Sequence, residues 1–189
     1  MGKPRTPEPV QLICGLIGGD VGLLRRARRL LVRRFGPTDL ESDFWSFDQT
    51  EYYREEMGPD LKRWFISFER SISPESILEI KLETNAIEAE LADDCAALGI
   101  VRPVNLDPGY VDLGKLVLAT TKDRSHRVYL GRGIFAECTL HFVHDRWQTW
   151  PWTFPDYHQP QYHEFFVRVR ERLLARRRQS QRQPTGAGE

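Results

Sequence analysis

The feature that most constrains this chain is a strand-turn-helix unit near its start. Val10, Leu12, Cys14 and Leu16 alternate along one face of a run ending at Ile17, and Ile13 and Ile17 are apolar on the other face, the pattern of a buried strand. Gly18-Gly19-Asp20 breaks the run. Leu23, Leu24, Ala27, Leu30, Leu31 and Phe35 then recur at helical spacing from Val21 to Phe35, and Gly36-Pro37 supplies the stop. Two short aromatic runs, Phe44 to Phe47 and Trp64 to Phe68, have strand character and are expected to pair as a ribbon around a polar stretch holding Tyr52, Tyr53 and Gly58-Pro59.

Ser73 and Pro74 open a long helix whose apolar face is Ile77, Ile80, Ile87, Leu91, Cys95 and Leu98, ended by Gly99. Val101 to Leu106 follows as a strand, closed by an Asp107-Pro108-Gly109 turn. The order β-α-β-β-α-β is that of a split βαβ unit, so the expected fold is α+β with a ferredoxin-like antiparallel core. A hairpin (Leu116 to Thr121 with Arg127 to Leu130), a further strand from Phe135 to Val143 and a terminal helix from Tyr162 to Arg178 extend it. Residues 1–178 read as one domain, and residues 179–189 as a frayed polar tail.

A chain of 189 residues with 40% apolar and 11% aromatic content can bury a core. No stretch approaches the roughly 18 apolar residues of a membrane span, and no cleavable leader is evident, so a cytoplasmic location is expected. Cys14, Cys95 and Cys138 are too scattered for a disulfide framework or a zinc knot. The 27 basic and 27 acidic residues are unevenly placed. Between Pro37 and Leu98 there are 16 acidic residues against 5 basic, and two arginine blocks compensate, Arg25 to Arg34 and Arg168 to Arg182. Such blocks can hold RNA or an acidic partner, but a pI near 7 weighs against nucleic acid.

No P-loop is present, and Gly18-Gly19-Asp20-Val21-Gly22 matches no dinucleotide fingerprint. No metal site is expected, because His141 and His144 fall on opposite faces of a strand. Polar side chains in otherwise apolar elements are more informative. Lys81, Thr84, Asn85 and Glu88 form a stripe along the long helix, either a surface network or a row looking into a cleft. Glu137 and His141 stand on one face of the strand from Phe135, either solvated or on a pocket floor. Asn105, Asp107 and Tyr110, and then Thr121, Lys122, Asp123, Arg124, His126 and Arg127, form the densest sets of donors and acceptors.

Several of these segments, taken in order, resemble the bacterial family called domain of unknown function 4416. They are Lys81-Leu82-x-Thr84-Asn85-x-x-Glu88, Asn105-Leu106-Asp107-Pro108-Gly109-Tyr110, Leu116-Val117-Leu118-Ala119-Thr120-Thr121-Lys122-Asp123, Gly133-Ile134-Phe135-Ala136-Glu137 and Pro151-Trp152-Thr153-Phe154-Pro155-Asp156-Tyr157. Phe47-Asp48-x-Thr50-x-Tyr52-Tyr53 belongs to the same likeness, which covers nearly the whole chain and implies no established activity, cofactor or partner. The preferred expectation, drawn from the residues, is a cleft that binds a phosphate-bearing small molecule or nucleotide. Lys122, Arg124, His126 and Arg127 would hold the anion, and Asn85, Asp107 and Tyr110 would orient it. The alternatives are an acid-base enzyme using Glu137 or His141, with Asp107 or Asp123 as magnesium ligand, and an interaction module built on the arginine-rich helices.

Overall fold

The computed structural model describes residues 2–48, 54–98 and 101–182; Thr50, Tyr52, Tyr53 and Gly99 lie outside that set. In chain order the elements are β1 (Val10–Gly18), α1 (Val21–Phe35), β2 (Thr38–Glu41), β3 (Trp45–Ser46), a single turn α2 (Arg54–Met57), β4 (Lys62–Ile72) and α3 (Ile77–Cys95). Then come β5 (Asn105–Val111), β6 (Lys115–Thr120), β7 (Val128–Gly131), β8 (Ile134–Val143), β9 (Arg146–Thr149) and α4 (Pro160–Arg182). The result is a mixed α/β architecture with one nine-stranded antiparallel sheet, ordered β2-β4-β1-β5-β6-β8-β7, in which β3 adds to β4 and β9 to β8.

β1 lies between β4 and β5 and is buried along its whole length. Its alternation explains why. Leu12, Cys14 and Leu16 join the core under α1 and α3, while Ile13 joins the core on the other face, where α4 packs Tyr162, Phe165, Phe166 and Val169. A strand covered on both faces reads as continuous apolar sequence. α1 spans the expected residues because both ends are specified locally: the Asp20 carboxylate accepts the Leu23 N–H at 2.7 Å, and Gly36 takes φ +91° beyond the last turn. An N-cap of this kind stabilises by about 1 kcal/mol.

Other expectations need correction. Asp107-Pro108-Gly109 is not a turn. It runs through β5, paired with Gly15, Cys14 and Ile13 of β1. The hairpin of β6 with β7 does not form, because β8 lies between them and pairs with both. β2 and β9 were not expected; β2 takes Ile66 to Phe68 of β4, leaving β3 only Lys62 and Arg63. A shift in the β6–β8 register sets Leu116 opposite Leu140 but Val117 opposite Cys138, so Thr139 is the extra residue of a bulge. This breaks the simple alternation expected along β8: Ile134 belongs to the α1/α3 core and Leu140 to the α4 core. The terminal helix continues through Gln179 to Arg182, past its expected end.

One irregularity shapes everything that follows. β5 and β6 pair only through Gly109, Tyr110 and Val111 with Leu118, Val117 and Leu116; below that point Asn105 to Pro108 pair with β1, and Ala119 and Thr120 with β8. Pro108, which has no N–H to donate, stands where the ladder stops. Gly109 marks the last close approach, since a Cβ there would lie 2.3 Å from the Val117 carbonyl oxygen. Beyond it the sheet opens.

Candidate functional site

The opening between β5 and β6 becomes a cavity of about 440 Å³, within the usual range for small-molecule sites. Because the gap passes through the sheet, side chains from both faces share it. Lys81, Asn85 and Glu88 reach it from α3, and Arg63 and Asp107 from the face that α4 covers. Residues from the β6–β7 loop and from Phe154-Pro155-Asp156-Tyr157 complete the lining.

α3 replaces the missing strand. The Lys81 ammonium donates to the Leu106 carbonyl at 2.8 Å, and the Leu106 N–H donates to Glu88 Oε1 at 2.6 Å. A backbone group left unpaired in the interior is costly, so two side chains two helical turns apart do for β5 what β6 does further along. Burial pushes the Glu88 carboxyl above its ordinary range, although Lys81 and the Leu106 N–H oppose it.

Arg63 is the centre of the site. Its side chain is 3% exposed; Nη1 donates to Asp107 Oδ2 at 3.0 Å and Nη2 to Asp156 Oδ2 at 2.7 Å. The guanidinium also lies over the rings of Phe47, Phe65 and Tyr157. To reach Asp107 from β4 it must cross β1, and it crosses at Gly15, where a Cβ would sit 2.9 Å from Nη1. The two carboxylates respond differently. Burial tends to raise both. At Asp107, Arg63 and Lys81 outweigh it and hold the carboxyl below the usual range, whereas at Asp156 burial prevails over Arg63 and the carboxyl stands above it. Burial raises the Tyr157 phenol well above normal and pushes Tyr162 up to about 12.

A second cluster closes the other end. Arg127 donates from Nε to Glu137 Oε2 at 2.7 Å and from Nη1 to the Lys122 carbonyl, and Thr139 donates to Glu137 Oε1. Glu137 is thus a buried anchor for the loop that carries Lys122 and Arg124. His126 Nε2 is 3.3 Å from the same carboxylate, and its ring stacks on Trp152 at 5.6 Å.

Of the candidates named from sequence, Lys81, Asn85, Glu88, Asn105, Asp107, Thr121, Lys122, Arg124, Arg127 and Glu137 line the cavity. Four do not. Tyr110 is three residues from Asp107 in an extended strand, so it faces the opposite side and packs on the α1/α3 core. Asp123 is exposed at the loop tip. His126 stands behind Arg127 against Trp152. His141 lies past the Thr139 bulge, packed on Trp150 at 4.1 Å. Of the magnesium and acid-base candidates, Asp107 and Glu137 therefore line the cavity, and Asp123 and His141 do not. Among the described residues, no three His, Cys, Asp or Glu side chains converge as metal ligands.

Arg63, Arg102, Phe47, Asp156 and Tyr157 are lining residues that sequence reading passed over. Arg63 carried a weak signal, as a charged residue in the strand Lys62–Ile72, whose next residues, Arg63 to Phe68, are all buried. Several arginines of the arginine-rich helices bind their own fold: Arg28 to Glu41, Arg26 to Asp94, Arg176 to Asp39 and Gln11, and Arg177 to Asp112.

Comparison with curated proteins and with solved structures returned no match. Residues 8–173 match the family model described as a domain of unknown function, numbered 4416, and the chain belongs to that family.

Proposed function

We propose that the cleft binds a phosphate-bearing small molecule, with nucleotides among the candidates. The observation that carries this reading is the charge of the lining. Six cationic side chains (Arg63, Lys81, Arg102, Lys122, Arg124 and Arg127) line it with four carboxylates (Glu88, Asp107, Glu137 and Asp156), and Arg102 also pairs with Glu56 outside the lining, so the cleft is cationic by about one charge. Three of the carboxylates already pair with Arg63 and Arg127. A phosphate monoester carries close to two negative charges at neutral pH, and the cationic lining, with Lys122 and Arg124 on the β6–β7 loop, favours an anion of that kind. The acid-base alternative is less well supported, since Glu137 is committed to Arg127 and Thr139.

The strand order β2-β4-β1-β5, with α1 and α3 packed on one face, supports reading the amino-terminal part as a ferredoxin-like core. The free thiols of Cys14, Cys95 and Cys138 fit a reducing compartment, and we read the protein as cytoplasmic on that ground.

The test is a thermal-shift screen of the protein against nucleotides, sugar phosphates and other phosphorylated metabolites. A true ligand at about 100 times its Kd stabilises by about 2.7 kcal/mol. Lys122→Ala/Arg124→Ala should abolish that shift. This double variant is preferred to any change at Arg127, whose loss would strand the buried Glu137 charge. A panel without a single stabilising phosphate compound, or a double variant that responds as the parent does, refutes the reading.

A further inference from the structure

The cleft is bipolar. Its rim is exposed at Thr121, Arg124 and Phe154, with Lys122 half-buried beside them, so the accessible charge at the mouth is positive. Its interior presents an acceptor. Asp107 is enclosed by the fold, yet a quarter of its side chain faces the cavity; Arg63 takes Oδ2, and the Asn105 side chain is the other hydrogen-bonding neighbour of the carboxylate. Asn85 lines the same space from α3, and among the described residues its amide has no hydrogen-bond partner. Arg63 and Lys81 hold Asp107 ionised.

A ligand that is anionic throughout fits this layout poorly, because its inner end would meet Asp107 and Glu88, whose neighbouring cations, Arg63 and Lys81, are already engaged with them. A ligand with an anion at one end and hydrogen-bond donors at the other fits both. Building on the phosphate reading above, we infer that the ligand is a phosphate monoester of a hydroxyl-bearing body, a sugar phosphate or a nucleoside monophosphate. Its phosphate sits at Lys122 and Arg124, and its hydroxyls donate to Asp107 and Asn85. Phe154, nearly half exposed at the rim with Arg127 on its ring at 5.8 Å, is placed to stack on a base if the body is a nucleoside.

Calorimetric titration with inorganic phosphate, ribose phosphate, adenosine monophosphate and adenosine tests this. At least one ester should bind about tenfold tighter than inorganic phosphate, the value of one good hydrogen bond to a charged acceptor. Asp107→Asn should reduce that advantage to about threefold or less. Because Asp107 also holds Arg63, Asn85→Leu carries the same expectation and breaks no internal hydrogen bond. Lys122→Ala/Arg124→Ala should weaken every phosphate compound in parallel and leave the ratio unchanged. A preference for adenosine monophosphate that Phe154→Ala erases assigns a nucleotide; a ribose phosphate at least as tight assigns a sugar phosphate. Inorganic phosphate binding as tightly as both esters overturns this inference and leaves the phosphate reading standing, as does an ester advantage that survives in both variants. Adenosine binding as tightly as its monophosphate, or no phosphate compound binding at all, overturns the phosphate reading itself.

Discussion

Phe65 and Arg63 are two residues apart on β4 and point to the same face of the sheet, yet they serve opposite ends of the molecule's chemistry. Phe65 is fully buried among Tyr157, Tyr162, Phe165 and Phe166, with ring centroids 4.8 to 5.9 Å away. Arg63 is almost as buried, but it faces the gap between β5 and β6 and is held by two carboxylates. Depth does not separate core from site here. What separates them is whether the neighbouring strands stay paired: where they do, α4 closes over an apolar face, and where they part, polar side chains from both faces meet. An apolar core of this kind tolerates no unpaired charge, whereas the cleft keeps its charges by pairing them.

Arg63→Met is the harshest way to break that contrast, because it puts an apolar side chain at the centre of the cleft, strips Asp156 of its partner and leaves Asp107 with Lys81 alone. Its expected cost is about 3–5 kcal/mol at neutral pH in chemical denaturation. The cost should shrink as pH falls through the carboxylate range, since Asp156, already above its ordinary range in the parent, and Asp107 then take up protons and lose their charge. A pH-independent cost would mean that Arg63 acts through packing alone.

Gly15→Ala probes the same pair more gently. The added Cβ would lie 2.9 Å from both Arg63 Nη1 and Phe65 Cε1, so one substitution presses on both halves of the comparison. Overpacking of this sort costs about 1–3 kcal/mol. Because the guanidinium end is the more movable neighbour, the variant should also perturb any ligand-induced thermal shift. A stability loss with an unaltered ligand response would place the strain on Phe65.

The smallest effect is expected at Glu88. Glu88→Gln keeps an oxygen for the Leu106 N–H and removes a buried charge. The parent carboxyl is raised by burial, so its charged form penalises the fold at neutral pH, and the penalty disappears as pH falls toward the unfolded-state value. The variant should therefore be equal to or slightly more stable than the parent at pH 7, within about 0.5 kcal/mol, with no gain in acid. Glu88→Ala, which orphans the Leu106 N–H, should instead lose about 1–3 kcal/mol. If both substitutions behave alike, α3 does not stand in for the missing strand.

Much of the fold was legible residue by residue. α1 was readable from its apolar spacing, from Asp20 and from Gly36, and the α3 face from Ile77, Ile80, Ile87, Leu91 and Cys95, because helical period and caps are properties of neighbouring residues. Asp107-Pro108-Gly109 was misread because those residues favour turns in isolation, whereas pairing with β1 holds them extended. For the site, the Lys122 to Arg127 loop and the Lys81 stripe were visible as concentrations of polar side chains. Arg63 and Asp156 were not, since Arg63 is one of a Lys62-Arg63 pair at the start of an aromatic strand and Asp156 is a lone acid between Pro155 and Tyr157.

The amino-acid order alone determined the limits of α1, because they rest on contacts within a few residues, and that Val10 to Ile17 would be buried, because both faces of that run are apolar. Only the tertiary structure decided which charges share a cavity. Arg63 lies 44 positions from Asp107 and 93 from Asp156, and it meets them because β1 crosses between β4 and β5 at Gly15 and β6 leaves β5 at Pro108. Strand register and strand divergence are set by the packing of remote segments against one another, and no local periodicity carries that information.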